Sequence, residues 1–454
     1  PQPETEKYLN FVADKLDLRR DIQFSSKVTA ARYLEELHAW RVTLEDGSEF
    51  SCRFLVTAVG PLSAATLPRF EGLDDFKGQA WHTAQWPKEP VSFDGKRVAV
   101  VGTGATGVQV IQEVAKTAGQ LTVFQRRPNW CTPLLNRKID TEEMDKIREG
   151  YAELFEHCRN TTACFMHTTD PRATFELSKE EREKFWEKQY YEMPGFAMWQ
   201  GNFRDILIDR EANRLVSEYV AQQIRKRVHD PKTADLLTPK DHGFGTRRVP
   251  QETGYYEVYN QPNVELVSML ETPVERVTER GIKTTEREYE FDIIIYATGF
   301  DAITGAIDRI DIRGTGGQSL KEKWQRDLST FVGIMVDGFP NLLMDLGPHT
   351  ALGNVPRSIE YNVEWVRDLL AFMKKNDLTY CEPKPEAVAD WIEFVNAKAE
   401  GLLSNEIDSW MTGVNLNVEG KQTRRVSRYS GSAPEYRKWC DDVAAGGYKE
   451  LILD

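Results

Sequence analysis

The spacing of apolar residues predicts one helix and a group of short strands at the start of the chain. Apolar side chains recur at helical intervals over Glu4–Leu18, which indicates an amphipathic helix. Alternating and β-branched segments between Val28 and Ala58 predict strands, with a hairpin turn at Glu45–Ser48. Taken alone, these strands also fit a small β-sandwich, so the pattern does not fix their arrangement.

A β-α-β unit is the clearest pattern in the chain. The β-branched run Arg97–Val101 is typical of a buried parallel strand, Val108–Ala118 has helical spacing, and Gln120–Gln125 predicts the next strand. The turn between the first strand and the helix has the pattern G-x-G-x-x-G: Gly102, Thr103, Gly104, Ala105, Thr106 and Gly107.

Each glycine of this turn suits the binding of a dinucleotide pyrophosphate. Gly102 permits a tight turn, Gly104 lets a phosphate approach the backbone, and Gly107 lets the helix pack closely on the strand. The amide groups and the positive end of the helix dipole then face the phosphates. A plain turn is the alternative for such glycines in isolation, and the β-α-β context favours dinucleotide binding.

The residues after the second strand predict NADPH rather than NADH. An NAD site places a carboxylate there, about twenty residues after the glycines, to hold the ribose hydroxyls. This chain has Gln125, Arg126 and Arg127 instead, and a guanidinium matches the geometry of a 2′-phosphate. We expect Arg126 to be the main discriminator and Arg247 the second, the alternative being a solvated basic surface pair.

The remaining segments predict a helical region followed by a return to mixed structure. Between about Asp140 and Asp235 the sequence is charged and aromatic with few β-branched runs, which indicates a helical insertion. The predicted helices there are Glu142–His157, Lys179–Tyr191 and Glu211–Val228. Further predicted strands are Val264–Val267, Glu290–Ala297, Thr330–Val336 and Leu342–Leu346, and further predicted helices are Ser358–Lys375 and Pro385–Leu403.

Composition and charge narrow the class of protein. The 454 residues are enough for two or three domains, and 40% hydrophobic content is ordinary for a globular protein. The formal charge of −13 argues against nucleic-acid and anionic-membrane partners and for a cytoplasmic location. The six cysteines are scattered without a C-x-x-C pair and the histidines do not cluster, so we expect reduced thiols and no metal.

Four residues shortly before the β-α-β unit carry a family resemblance. Phe76, Gly78, His82 and Trp86 follow the spacing F-x-G-x-x-x-H-x-x-x-W and are closed by Pro87. On their own they would fit a loop with packed aromatic side chains. Together with the glycine-rich turn, they resemble the fingerprint of type I Baeyer–Villiger monooxygenases, flavin enzymes that use NADPH and oxygen to convert ketones into esters or lactones.

The resemblance implies an α/β fold of two dinucleotide-binding (Rossmann-like) domains, the first incomplete at its N-terminus, with a helical insertion in the NADP domain. The family's first glycine-rich turn is not found in this sequence, so we expect about a hundred residues of a domain of normal size upstream. Whether FAD binds without them is left open. The expected segments are 1–90 and 297–454 for the FAD-binding domain, 91–139 and 244–296 for the NADP-binding domain, and 140–243 for the insertion.

The resemblance also assigns roles to individual residues. Arg248 matches the family arginine that stabilises an anionic flavin peroxide, and Trp410 a tryptophan on a mobile loop that closes over nicotinamide and substrate. A buried core residue is the alternative for Trp410. The four fingerprint residues are expected at the hinge between the domains, and the remaining flavin contacts are expected to be Gly60, Thr298, Gly299, Asp301, Asn354 and Val355.

Two other functions remain open at this point. One is an N- or S-oxidising flavin monooxygenase, whose related fingerprint usually ends in Tyr or Phe where this chain has Trp86. The other is a non-catalytic NADP(H)-binding protein without flavin. For the main hypothesis, the partners are oxygen and a ketone, and Asn415–Gly431 resembles members that act on large cyclic or long-chain ketones. Neither the oligomeric state nor the regioselectivity is predicted.

Overall fold

The computed structural model describes residues 2–454 and has a mixed α/β architecture. The helices are α1 (Gln2–Lys15), α2 (Ala105–Val114), α3 (Thr141–Glu149), α4 (Tyr151–Asn160), α5 (Lys179–Tyr191), α6 (Ala197–Gln200), α7 (Arg210–Arg227), α8 (Pro231–Leu236), α9 (Tyr255–Val258), α10 (Leu320–Arg326), α11 (Val355–Lys375), α12 (Pro385–Ala399) and α13 (Ala433–Ala445). The strands are β1 (Val28–Leu34), β2 (Ala39–Leu44), β3 (Glu49–Cys52), β4 (Leu55–Thr57), β5 (Gln79–His82), β6 (Arg97–Val101), β7 (Gln120–Gln125), β8 (Thr132–Pro133), β9 (Gln251–Glu252), β10 (Val264–Ser268), β11 (Val274–Val277), β12 (Gly281–Thr284), β13 (Glu288–Glu290), β14 (Ile293–Tyr296), β15 (Asp311–Arg313), β16 (Leu342–Met344), β17 (Cys381–Pro383) and β18 (Leu451–Leu453).

A five-stranded parallel sheet of order β10-β7-β6-β14-β5 carries the predicted β-α-β unit. The β-branched residues of β6 and β7 are buried because both faces of the sheet are covered, as in doubly wound folds. On one face, Val108 and Ile111 of α2 join the core cluster that includes Val98 and Val100. The glycine-rich turn therefore lies at the carboxyl edge of a buried sheet, where such folds bind ligands.

Six helices, α3 to α8, form the segment that the sequence predicted to be helical. The predicted helix Glu142–His157 is two helices, α3 and α4, because the chain leaves helical geometry at Gly150. Trp186 of α5 and Val216 of α7 enter the same core cluster as the parallel sheet. The helical segment therefore packs against the sheet that carries the glycine-rich turn.

A second sheet has the order β15-β1-β2-β3, with β1, β2 and β3 antiparallel and β15 parallel to β1. The predicted strands between Val28 and Ala58 are confirmed, and the β-sandwich alternative is wrong because β1 pairs with a strand from much later in the chain. A separate parallel pair joins β4 and β16. Trp40 is fully buried here, and its indole Nε1 donates to the carbonyl of Pro340 at 2.9 Å.

One strand prediction is wrong. Thr330–Val336 forms a tight turn with a single bridge between Phe331 and Met335, and Val332 and Gly333 have positive φ angles of 47° and 70°. The apolar run reflects burial of the whole turn in the C-terminal core rather than an extended strand. Short apolar runs carry no periodicity that separates these two cases.

Two further features bear on the expectations from composition. All six cysteines are free. Within residues 2–454, no helix combines the length and the apolar character that a bilayer crossing requires.

Candidate active site

The glycine-rich turn leaves open space in front of α2. Gly102 has φ +110°, and a Cβ there would lie 2.5 Å from the carbonyl oxygen of Ala297. A Cβ on Gly107 would overlap the carbonyl of Gly102, so this glycine sets the close approach of helix and strand. Gly104 precedes α2, caps it with no side chain, and a Cβ there would meet nothing within 4 Å. The uncovered helix start fits a pyrophosphate.

Arginines converge beside this turn. Thr103 Oγ1 donates to the carbonyl of Arg127 at 3.1 Å, which fixes the chain after β7 against the turn. Arg127 Nη1 lies 3.2 Å and Arg247 Nη2 3.5 Å from Asp241 Oδ2, so one carboxylate meets two guanidinium groups. Arg126 is exposed and takes part in no ion pair with residues 2–454. Ala105 and Thr106 form the first turn of α2.

The charges in this cluster do not balance. Burial opposes ionisation of Asp241, but its hydrogen bond with His242 and the charges of Arg247 and Arg127 lower its pKa to about 2. Although part of the Arg126 side chain is exposed, desolvation by the surrounding protein and the charge of Arg127 lower the pKa of its guanidinium. Two guanidinium groups thus contact one carboxylate, and the charge of Arg126 acts on Arg247 from nearby, an arrangement that suits an incoming phosphate. Sequence reasoning missed Asp241, since one carboxylate in a polar loop carries no motif.

The main chain of Arg248 is held by a hydrogen bond, while its guanidinium group forms no ion pair with any residue from 2 to 454. Its carbonyl oxygen accepts a hydrogen bond from Asn129 Nδ2 at 3.0 Å, and its Cζ lies 5.8 Å from the centre of the Phe196 ring. The side chain is half-buried, and burial lowers the pKa of the guanidinium. No carboxylate of the described chain pairs with it. A partly desolvated cation of this kind is suited to an anion supplied by a ligand or a reaction.

The segment that carries Trp410 reaches the arginine cluster. Arg247 Nη2 donates to the carbonyl of Asp408 at 3.0 Å, two residues before Trp410. Trp410 begins a short 3₁₀ turn, Trp410–Thr412, and its side chain is half-buried. It is therefore not a fully buried core residue, and the structure brings it into the neighbourhood of the predicted cofactor residues.

The fingerprint residues lie on strand β5 and on the residues just before and after it, beside strand β14. Strand β5 ends in His82 and pairs in parallel with β14, which leads into Thr298 and Gly299. The His82 ring is buried, meets the ring of Phe300 edge-on at 5.6 Å, and its Nδ1 accepts from the amide of Ala84. Burial lowers the pKa of His82. This ring contact ties the fingerprint to residues 297–300, which follow β14 and are called the return crossing below.

The other fingerprint residues pack around this strand. A Cβ on Gly78 would lie 2.5 Å from the Phe76 ring, so the glycine makes room for the phenylalanine. Trp86 is 40% exposed and meets the rings of Trp81 and Phe93 edge-on at 5.5 and 6.2 Å. The packing of these side chains positions β5 beside β14, and none of them supplies a reactive group.

The predicted flavin contacts lie along the return crossing and at the start of α11. Thr298 Oγ1 donates to the carbonyl of Thr66 at 2.6 Å, and the amide of Thr66 donates to Gly299 at 3.0 Å. Gly299 has φ +83°, and a Cβ there would meet nothing within 4 Å. Gly60 also has positive φ, +76°. Open space beside a pinned glycine fits the close approach of a large planar group.

Asn354 precedes the 21-residue helix α11 without capping it through its side chain, and Val355 begins the helix. The amide of Asn354 donates to the carbonyl of Ala163 at 2.8 Å, which joins the helix start to the helical segment. The positive end of the α11 dipole is thus held beside the helical segment.

Asp301 has a partner that sequence reasoning missed. Lys421 Nζ lies 2.5 Å from Asp301 Oδ1, 2.8 Å from Thr304 Oγ1 and 3.0 Å from Asp308 Oδ2. The side chains of the ion pairs are only 11–15% exposed. A cavity of about 440 Å³ opens beside this group. Lys421 therefore fastens the C-terminal loop to the segment after the return crossing.

His349 is structural. It is buried, with Nδ1 3.1 Å from Thr330 Oγ1 and Nε2 3.0 Å from the carbonyl of Val426. Burial lowers the pKa of His349 to about 4.

A cavity of about 990 Å³ beside α12 contains none of the predicted site residues, so cavity size does not locate this site.

The comparisons with known proteins agree with this geometry. A flavin-binding monooxygenase-like family model matches residues 2–144. A 2-oxo-Δ3-4,5,5-trimethylcyclopentenylacetyl-CoA monooxygenase of Pseudomonas putida is 44% identical over all of this chain and 84% of its own length. Cyclohexanone 1,2-monooxygenase of Acinetobacter sp. is 38% identical over 98% of this chain and 81% of its own length.

The chain belongs to the Baeyer–Villiger monooxygenase family. The crystal structure of OTEMO in complex with FAD and NADP superposes with a TM-score of 0.96, at 44% identity, over all of this chain and 85% of that one. The predicted family and the α/β fold class with Rossmann-like domains are thereby confirmed. The roles of individual residues in this Baeyer–Villiger monooxygenase remain proposals.

Proposed function

We propose that this chain is an NADPH- and oxygen-dependent flavin monooxygenase that converts ketones into esters or lactones, in the cytoplasm. The observation that carries the proposal is the half-buried guanidinium of Arg248, which has no counter-ion in residues 2–454 and lies next in sequence to Arg247 of the arginine cluster. Such a group suits a reaction in which negative charge develops on oxygen.

The glycine-rich turn and the arginine cluster support NADP(H) as one cofactor. The open start of α2 at Gly104 fits the pyrophosphate. Arg126, Arg127 and Arg247 outnumber the carboxylate of Asp241, which favours a 2′-phosphate over a free ribose hydroxyl.

The return crossing and the start of α11 support FAD as the other cofactor. Gly60, Thr298 and Gly299 would border it, and the amide group of Val355 would face it with the positive end of the helix dipole. Asn354, whose own amide donates to Ala163, would anchor the start of that helix. When bound, FAD supplies the activation of oxygen and NADPH the reducing electrons. Asp301 contributes through Lys421, which fixes the loop that covers this region.

The role proposed for Arg248 is to stabilise charge and to orient the reacting oxygen. Asn129 fixes its main chain, and the Phe196 ring, 5.8 Å from Cζ, restricts its guanidinium before any ligand arrives. Trp410, on the segment that Arg247 contacts, would cover the bound ligands and exclude water. The fingerprint residues act at a distance by joining β5 to the return crossing.

The division into domains and the substrate class are part of the proposal. We keep 1–90 and 297–454 as the FAD-binding part, 91–139 and 244–296 as the NADP-binding part, and 140–243 as the insertion. A large cyclic or long-chain ketone is the proposed substrate. The Pseudomonas putida relative is named for a cyclopentenyl compound, which supports a ring substrate.

Replacing Arg248 tests the proposed function. In Arg248→Ala, we expect the rate of ester formation to fall by a factor of about 10²–10³, as for the loss of one charge-stabilising donor. NADPH-driven flavin reduction should continue, because the residues proposed to hold both cofactors are unchanged. Rapid-mixing absorbance measurements and product analysis separate the two steps.

The matched control is Arg214→Ala on the exposed face of α7, where Arg214 pairs with Glu211 and Glu218. It should leave both steps unchanged. Ester formation at the wild-type rate in Arg248→Ala would refute the role of Arg248. Oxidation of a thioether without oxidation of any ketone would favour the S-oxidising alternative.

A further inference from the structure

A chain of polar side chains in close contact joins the arginine cluster to the main chain of Arg248. Asp241 Oδ1 lies 2.7 Å from His242 Nδ1, and His242 Nε2 lies 3.4 Å from Asn129 Oδ1. Asn129 Nδ2 in turn donates to the carbonyl of Arg248 at 3.0 Å. The His242 side chain is completely buried, so its ring is shielded from bulk solvent.

The protonation state of His242 decides whether this chain is continuous. A neutral imidazole has one N–H group, and the short contact with the Asp241 carboxylate places it on Nδ1. Nε2 then presents a lone pair to Asn129 Oδ1, which is also an acceptor because Nδ2 donates to Arg248. An imidazolium would donate to both neighbours at once.

We propose that His242 is a positioning residue that links a phosphate-binding pocket at Arg127 and Arg247 to the main chain of Arg248, through Asp241 and Asn129. The ligand class is a phosphate monoester, such as the 2′-phosphate of the cofactor, so the inference rests on the proposed function. His242 contacts no reacting atom. It acts through Asn129 on the residue that does.

Electrostatics supplies the coupling. Burial lowers the pKa of His242, the charges of Arg247 and Arg127 lower it further, and Asp241 opposes them. The ring of Trp130 meets the His242 ring edge-on at 6.5 Å, and Trp130 Nε1 donates to the His242 carbonyl. A phosphate dianion at the two arginines would offset their charge and favour the imidazolium. Phosphate binding would thereby complete the chain to Arg248.

The first test observes the His242 ring directly in the full chain. Protein with ¹³C-labelled histidine is titrated with pH, alone and with adenosine 2′-phosphate, adenosine being the control ligand. His242→Phe, which keeps the aromatic contact with Trp130, identifies the signal. We expect the His242 titration to move to higher pH with adenosine 2′-phosphate and to stay unchanged with adenosine. A bound phosphate ester that leaves the His242 signal unmoved would overturn the proposal.

The second test breaks the chain beyond His242. Asn129→Ala leaves Asp241, His242 and both arginines in place, so adenosine 2′-phosphate should bind within about twofold of wild type. The His242 titration should still respond to the ligand. The kcat for ester formation should fall about tenfold, with KM for NADPH unchanged, since only the support of Arg248 is lost. Unchanged kcat would overturn the link to Arg248.

The phosphate pocket and its coupling to Arg248 can be refuted separately. If adenosine 2′-phosphate does not bind, the phosphate pocket is wrong, while flavin reduction by NADPH can still be measured and tests the proposed function separately. If reduction occurs and the phosphate ester binds, but neither His242 nor the kcat of Asn129→Ala responds, only the coupling is refuted.

Discussion

The arginine cluster and the Lys421 group are both networks of charged residues, yet they differ in how fully their charged groups are paired. At the cluster, Arg127 and Arg247 share the carboxylate of Asp241, and Arg126 adds a third positive charge near Arg247. In the Lys421 group, one ammonium meets the carboxylates of Asp301 and Asp308 and a hydroxyl, and the ion-pairing side chains are nearly buried. An excess of positive charge that is partly exposed indicates a ligand site. A nearly buried network whose charged groups are all paired indicates a structural link.

The largest effect is expected where the closed network is broken. Lys421→Met would leave two nearly buried carboxylates without their cation, and removal of one partner from a buried pair costs about 3–5 kcal/mol. We expect the free energy of unfolding, measured by urea denaturation, to fall by that amount. The C-terminal loop near Lys421 should also become more susceptible to proteolysis.

Lys438→Met is the matched control, because the Lys438–Asp442 pair is exposed, with 74% and 67% of the side chains accessible. Its effect on the free energy of unfolding should stay within about 1 kcal/mol. Equal effects of the two substitutions would show that the Lys421 group is not the structural link described above.

The glycine-rich turn offers a sharper comparison within one motif. Gly107→Ala would place a methyl group against the carbonyl of Gly102, and overpacking against backbone should destabilise the fold by about 3 kcal/mol. Gly104→Val adds a side chain where nothing lies within 4 Å. It should leave the thermal unfolding temperature nearly unchanged and weaken NADP⁺ binding at least tenfold.

Calorimetric titration with NADP⁺ and thermal unfolding measure these two outcomes. Tight NADP⁺ binding by a folded Gly104→Val variant would contradict the assignment of the open space to the cofactor.

A smaller effect is expected from pH through His349. Its pKa in the folded protein is about 4, below the ordinary value near 6.5, because the ring is buried. Between these values the unfolded chain binds more protons than the folded one, so stability falls as pH decreases from about 6.5 toward 4. From pH 7 to pH 5 the loss should be about 2 kcal/mol.

Urea denaturation at both pH values measures this loss. His349→Gln retains a hydrogen-bonding side chain and removes the titration, so the same pH change should then cost about 2 kcal/mol less. An identical pH dependence in the variant would assign the effect to other groups.

The sequence predicted local elements well and distant partners poorly. Strands β6 and β7 have the predicted bounds, because a β-branched run between two buried faces is a local property. Thr330–Val336 was misassigned because burial without periodicity looks the same in a strand and in a turn. The ion pair between Asp301 and Lys421 was not predicted, because it joins positions 120 residues apart in the chain.

By itself, the sequence determined the family fingerprint, the glycine-rich turn and the arginines after β7, because each depends on residue types at short, fixed spacings. Only the tertiary structure decided which groups remain without a partner. Asp241 meets Arg127 and Arg247, His242 reaches Asn129, and Lys421 closes on Asp301 through contacts between distant segments. Burial then shifts the ionisation of these groups, because a desolvated charge needs a partner. The local sequence does not identify that partner.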